Sequence, residues 1–377
     1  MSPNMRRFLP LVLAAVAAPA LSAQSVFDSE LRLAPQFLTY QIKSPSNETI
    51  SELAIPAYVS IPFGPSFTMD VGTAFARARV SNGTAVSEIS GLTDTQIRGN
   101  LTLGSDFLIL TAGLNLPTGQ SSVTLDQITA AGRIGNDFLA FPISNMGTGV
   151  AATAGVAVAQ PLGDWNVGFG GALRKSQAYD PFSIPGQTLK FTPGNEYRVR
   201  VGLDRATNSG RVSFGLTYSA FANDDAGGSI YSTGNRIIGQ TVLTSQIAGA
   251  DVTFAGYDVF RQAGQYASGD PAGRENIANG YLGLGLKMFG TIVEPSFEAR
   301  HWLQNVVAST GSSLPDRSQY SALGTVGLRT RLEAVGFAAY PSVGYTFGQL
   351  ATLDAINNPV HALFTGFRAQ LAIRVSQ

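Results

Sequence analysis

The feature that most constrains this chain is a two-residue alternation of apolar and polar side chains. Near the C-terminus, Phe367, Ala369, Leu371, Ile373 and Val375 alternate with Arg368, Gln370, Ala372, Arg374 and Ser376. The same pattern sets Tyr197, Val199, Val201 and Leu203 against Arg198, Arg200, Gly202 and Asp204, and Leu282, Leu284, Leu286 and Met288 against Tyr281, Gly283, Gly285 and Lys287. Successive side chains of a strand point to opposite faces, so each such segment reads as a strand with one apolar and one polar face. In a soluble sandwich or propeller a second apolar layer would cover these faces. Here the apolar face recurs without such a layer, which leaves lipid as the medium it meets.

Strands are expected over 30–42, 51–63, 66–80, 93–103, 107–116, 148–160, 165–179, 195–206, 210–222, 235–246, 251–262, 278–288, 291–304, 319–332, 336–350 and 362–375. The fold class is therefore all-β, an antiparallel transmembrane β-barrel of about sixteen strands, within a range of roughly fourteen to eighteen. No stretch after the N-terminus offers the run of apolar residues that a membrane helix needs, so strands must do the crossing. Every second connection is tight, as at Gly64-Pro65, Gly104-Ser105-Asp106, Thr207-Asn208-Ser209 and Phe289-Gly290, and the alternate ones read as long loops. Aromatic residues fall in two tiers, with Phe63, Phe67, Trp165, Phe289 and Phe337 near the turns. Tyr40, Tyr179, Tyr218, Phe260, Trp302, Tyr320 and Phe347 lie near the loops, as expected of girdles at the two membrane interfaces. Pro35, Pro56, Pro62, Pro295 and Pro341 stand inside proposed strands, although proline removes a ladder donor and belongs at edges or bulges.

Residues 1–23 carry Arg6 and Arg7, an apolar run from Phe8 to Ala20, and Leu21-Ser22-Ala23 with small residues where a peptidase cuts. This reads as a secretory signal peptide, leaving 24–377 as one barrel domain.

Composition closes off most chemistry. The 25 basic and 25 acidic residues cancel, which removes the electrostatic footprint of a nucleic-acid binder. Cysteine is absent, and the two histidines, His301 and His361, stand far apart without a carboxylate cluster. No nucleophile elbow, P-loop or dinucleotide fingerprint occurs, so neither an enzyme, a metal centre nor a cofactor is expected. Asp224-Asp225 reads as a solvated loop pair rather than a calcium site, which needs six or more oxygens.

The informative residues lie on the polar faces of the strands. By alternation these faces hold Arg98, Arg174, Arg198, Arg200, Lys287, Glu294, Glu298, Arg300, Arg329, Arg331, Arg368 and Arg374. A lipid-facing Arg or Lys near the midplane costs about 2–4 kcal/mol, which assigns these charges to the lumen. Ten are basic and two acidic, so a water-filled passage lined by them favours anions. The same residues also suit internal salt bridges bracing a plugged barrel, and the sequence leaves both readings open.

The signal peptide, the alternating strands and the turn and loop asymmetry resemble the bacterial outer-membrane porin-like barrels over nearly the whole mature chain. The resemblance implies residence in the outer membrane, contact with its lipid, and passage of small solutes. Locally, Gly113-Leu114-Asn115-Leu116-Pro117-Thr118-Gly119 is similar to a segment of the fatty-acid and aromatic-compound transporter barrels, which implies small amphipathic or apolar cargo. In the porins that the chain resembles, the third long loop folds inward and narrows the pore. Its counterpart here is 117–147, with Asp126, Arg133 and Asp137 beside Leu125, Ile128, Ile134, Phe138, Leu139 and Phe141. So apolar a loop is expected either to pack into the lumen as a constriction or to seal a subunit contact in a homo-oligomer. Three functions follow: a passive, anion-preferring channel; a selective transporter of amphipathic or aromatic molecules; or a structural or adhesive surface barrel.

Overall fold

The computed structural model describes residues 29–376 apart from 44–46, 84, 105–106, 187, 267, 289, 308–315 and 354–358. The signal segment 1–23 and Phe289 lie outside the described residues. The chain forms one closed antiparallel barrel of sixteen strands. The first half of the barrel runs β1 (Glu30–Leu33 and Gln36–Ile42), β2 (Glu48–Phe63), β3 (Phe67–Asn82), β4 (Ala85–Leu92 and Thr95–Leu103), β5 (Leu108–Leu116), β6 (Ala151–Leu162), β7 (Trp165–Ser176) and β8 (Glu196–Ala206). The second half runs β9 (Gly210–Phe221), β10 (Arg236–Ile247), β11 (Ala250–Arg261), β12 (Glu275–Met288), β13 (Thr291–Val306), β14 (Arg317–Ala334), β15 (Phe337–Leu353) and β16 (Pro359–Ser376). β16 pairs with β1, Leu31 against Val375 and Phe37 against Ala369, so the sheet has no free edge. Among the described residues no helix is long and apolar enough to cross a membrane.

The short turns need backbone that only glycine adopts freely. Gly64 and Gly163 sit at φ 73° and 61° in two of them. Pro35 is accommodated at a break in β1, where its missing N–H costs nothing, while its carbonyl accepts the Leu371 N–H at 2.9 Å.

The sequence places a loop before residue 93, and the structure corrects this: β4 begins at Ala85 and pairs in full with β3. Thr93 and Asp94 interrupt the ladder, shifting the register from Phe75 against Leu92 to Gly72 against Gln96. Such a bulge inverts the alternation, so Ile89 faces inward before it and Asn100 after it, and the broken phase reads as a loop in sequence.

The outer face is a belt of exposed apolar side chains on every quarter of the barrel, among them Leu53, Phe75, Leu110, Phe169, Val199, Leu216, Phe254, Leu284, Phe297, Val326, Val343 and Phe367. The main buried cluster lies inside the barrel. There Leu38, Ile50, Val80, Ile89, Leu323, Leu350 and Phe364 of the wall pack against Ile134, Phe138, Leu139, Phe141 and Met146 of segment 117–150.

Candidate functional site

The inner wall divides into two arcs. From β13 through the closure to the first part of β4 (Ala85–Leu92), segment 117–150, with helix α1 (Ile128–Ile134), covers a mainly apolar stretch of the wall. The covering is held by hydrogen bonds as well as burial. Tyr40 Oη donates to the Leu139 carbonyl at 3.0 Å, Arg300 Nη1 to the Phe138 carbonyl at 2.7 Å, and the Ile143 N–H to Glu52 Oε1 at 2.9 Å. Ser87 Oγ donates to the Asp126 carbonyl at 2.5 Å and accepts the Ala130 N–H at 3.1 Å. Of the two destinations that the sequence leaves open for this loop, its apolar side chains take the inner wall.

Asp94, at the β4 bulge, ties both ends of the loop. Its Oδ1 accepts the Gly119 N–H at 3.1 Å, and its Oδ2 accepts the Thr148 N–H at 2.7 Å and Asn115 Nδ2 at 2.9 Å. A Cβ at Gly119 would lie 2.1 Å from the Met146 carbonyl oxygen, so the neck of the loop requires glycine there. The Gly113–Gly119 segment thus has a structural reason for its residues.

The loop residues singled out in the sequence divide the same way. Phe138 is 0% exposed, stacked on Trp302 with centroids 5.8 Å apart, and Phe141 meets Tyr40 edge-on at 5.5 Å. Arg133 pairs with the buried Glu48 at 2.8 Å. Asp126 accepts the Thr124 hydroxyl at 2.6 Å, and Asp137 is exposed. Tyr40 and Trp302 are therefore inner-wall residues that receive the loop, which corrects their place in a lipid-facing girdle. Tyr218, Tyr320 and Phe347 remain exposed on the outer face.

The other arc, from the second part of β4 (Thr95–Leu103) through β12, lies outside that buried cluster. Cross-strand register sets small side chains beside basic ones: Gly113, Thr153, Gly155, Ala172 and Gly170 stand between Arg98 on β4 and Arg174, Arg198 and Arg200 on β7 and β8. Among the described residues Arg98, Arg174, Arg200 and Lys287 make no ion pair, whereas the remaining predicted charges do. Arg198 meets Glu196 at 2.6 Å, and Arg329 meets Glu294 at 2.6 Å. Glu298 holds Arg300 at 2.8 Å and Arg368 at 3.5 Å, Arg374 joins Arg32 on Glu30 at 2.8 Å, and Arg331 pairs with Glu333. Pairing leaves some of them in water: the Arg329 and Arg368 side chains keep 41% and 39% exposure, whereas Arg300 is largely buried.

Above the barrel, Phe191–Thr192, Asp224–Ala226 and Ser229–Tyr231 form a small sheet joining two long loops. Asp224 holds it, accepting the Gly194 N–H at 2.8 Å and the Thr233 hydroxyl, so its oxygens serve the chain itself. Tyr179 packs edge-on against Phe191 at 5.5 Å, and burial, reinforced by the charges of Asp94 and Asp224, pushes its phenol above the ordinary value. No local pattern marks Asp94, Glu48, Glu52 or Ser87, because their roles depend on which loop comes to rest on them.

Closed strands, an apolar exterior and a partly polar interior define a membrane-spanning β-barrel of porin-like architecture. No protein-family model matches the sequence, and neither does any curated protein. Similar solved structures include an outer membrane channel from Pseudomonas putida F1, with 12% identity over 94% of this chain and 97% of that one and a TM-score of 0.40. An anion-selective porin from Comamonas acidovorans has 13% identity over 93% and 99%, with a TM-score of 0.44. The outer membrane channel DcaP of Acinetobacter baumannii has 9% identity over 94% and 100%, with a TM-score of 0.43. Nothing about cargo follows from likenesses this distant.

Proposed function

We propose that the chain is a channel of the bacterial outer membrane through which small solutes diffuse passively, with a preference for anions. The division of the inner wall carries this reading. Segment 117–150 lies on the apolar arc, and the other arc bears small side chains interspersed with Arg98, Arg174 and Arg200, none of which is in an ion pair among the described residues, although Asp70 stands opposite Arg98 and Glu196, held by Arg198, opposite Arg174. Small side chains leave room for water, and unneutralised guanidinium groups lower the barrier to a negative solute while raising it for a cation. In this reading Arg98, Arg174, Arg198, Arg200, Lys287, Arg329 and Arg368 line the passage, and Asp126, Arg133 and Asp137 mark its opposite edge on the loop. Phe138, Leu139 and Phe141 pack against the wall, whereas Leu125 and Ile128 of the same loop stay exposed.

Purified barrel in planar bilayers under a potassium chloride gradient tests the reading. Steady open channels with a reversal potential of the sign set by chloride are expected. A barrel that stays electrically silent, or one whose reversal potential follows potassium, overturns it.

A further inference from the structure

We infer that the inner wall of β8 to β10 holds a binding site for a small oxyanion, a solute carrying a carboxylate or phosphate group; the inference rests on the anion-preferring reading above. A cavity of about 210 Å³ opens there among Glu196, Arg198, Thr217, Ser219, Arg236 and Gln240. Register assembles it: Arg198 faces Ser219, which faces Arg236, and Arg200 faces Thr217 on the adjacent inward row. Two buried hydroxyl residues, Ser219 and Thr217, thus stand between guanidinium groups. The carboxylate on the cavity, Glu196, is bound by Arg198 at 2.6 Å, with Arg174 opposite it on β7. Arg236 makes no ion pair among the described residues. Its guanidinium lies 5.5 Å from the Phe221 centroid, a contact that orients the group without neutralising it.

Arg200 supplies the second argument. It is 8% exposed, and its Nε and Nη1 have no hydrogen-bond partner. A guanidinium drawn out of water with two donors unmet is costly. An oxyanion offers two acceptors in the spacing that a guanidinium fork matches. Gly215 contributes space: a Cβ there would lie 2.8 Å from Gln240 Nε2, so its absence lets that amide lie along the wall beside the cavity. The volume is below the range of about 300–1,000 Å³ typical of drug-sized ligands, which limits the guest to a small anion.

Calorimetric titration of the detergent-purified full barrel, with inorganic phosphate in one series and succinate in another, tests the site. Saturable binding of at least one is expected, and which of the two binds identifies the anionic group. Arg200→Gln and Arg236→Gln, each checked for parental melting behaviour, should weaken binding by about ten-fold or more. Arg205→Gln, which removes a charge outside the cavity, should leave binding unchanged. Absence of saturable binding for both anions, or parental affinity in the Arg236 variant on the cavity and the Arg200 variant beside it, overturns the proposal. Bilayer currents separate its failure from that of the channel reading: a barrel that conducts anions but binds neither probe loses only the site, and one that binds without preferring anions loses only the channel assignment.

Discussion

Arg98 and Arg174 stand on one cross-strand row of the inner wall, with only Gly113 and Thr153 between them. Neither has an ion pair among the described residues, and Arg98 is exposed although it points away from the lipid. If solutes pass this row, as the channel reading has it, the two charges act on them with only small side chains between. Arg98→Glu combined with Arg174→Glu should lower the anion-to-cation permeability ratio severalfold, because fixed charge at a narrow passage dominates selectivity. Unchanged reversal potentials in a correctly folded double variant would place this row outside the conduction path.

The loop makes a separate prediction. Deleting Thr124 to Asn136 removes α1 and the Arg133–Glu48 pair, and should raise single-channel conductance by clearing part of the lumen. Phe138→Ala should loosen the same segment without shortening it, since truncating a fully buried phenylalanine costs about 3–5 kcal/mol. Faster proteolysis within 117–147 and noisier current are expected. Parental conductance in the deletion would mean that the loop does not narrow the passage.

Lipid contact is tested on the outer face. Phe297 is 46% exposed in the middle of β13, beside the inward Glu298. Phe297→Arg should destabilise the barrel in bilayers by about 2–4 kcal/mol, the cost of a charge near the midplane. Reversible unfolding into urea from lipid vesicles measures it, and a change within error would show that this face does not meet hydrocarbon.

Export makes the last prediction. Protein recovered from outer membranes should begin at Gln24 or within a few residues of it by N-terminal sequencing. Recovery of intact Met1 in that fraction would count against cleavage of 1–23.

The strands were legible in the sequence because the evidence for a strand is local. Phe367 to Val375 need only their immediate neighbours to show two faces, and lipid on one side keeps that contrast sharp around the barrel. Legibility failed wherever the inner face also turns apolar. Leu38, Tyr40 and Ile42 look inward on a segment whose Phe37 looks out, and no local pattern says that Phe138 and Phe141, about a hundred residues later, come to cover them. The same limit hid the Thr93–Asp94 bulge, whose shift of phase imitates a loop until β3 fixes the register. Charge was legible as a sign and not as a balance. Arg98, Arg198 and Arg300 look alike in sequence, but the register and rotamers that give Glu196 to Arg198 and Glu298 to Arg300, and that set Asp70 opposite Arg98 while Ser60 and Asn100 take its oxygens, exist only once distant strands are paired. Period-two patterning is fixed between adjacent residues, whereas neutralisation is fixed between strands, and for that reason only the closed barrel decides which arc of the wall stays charged.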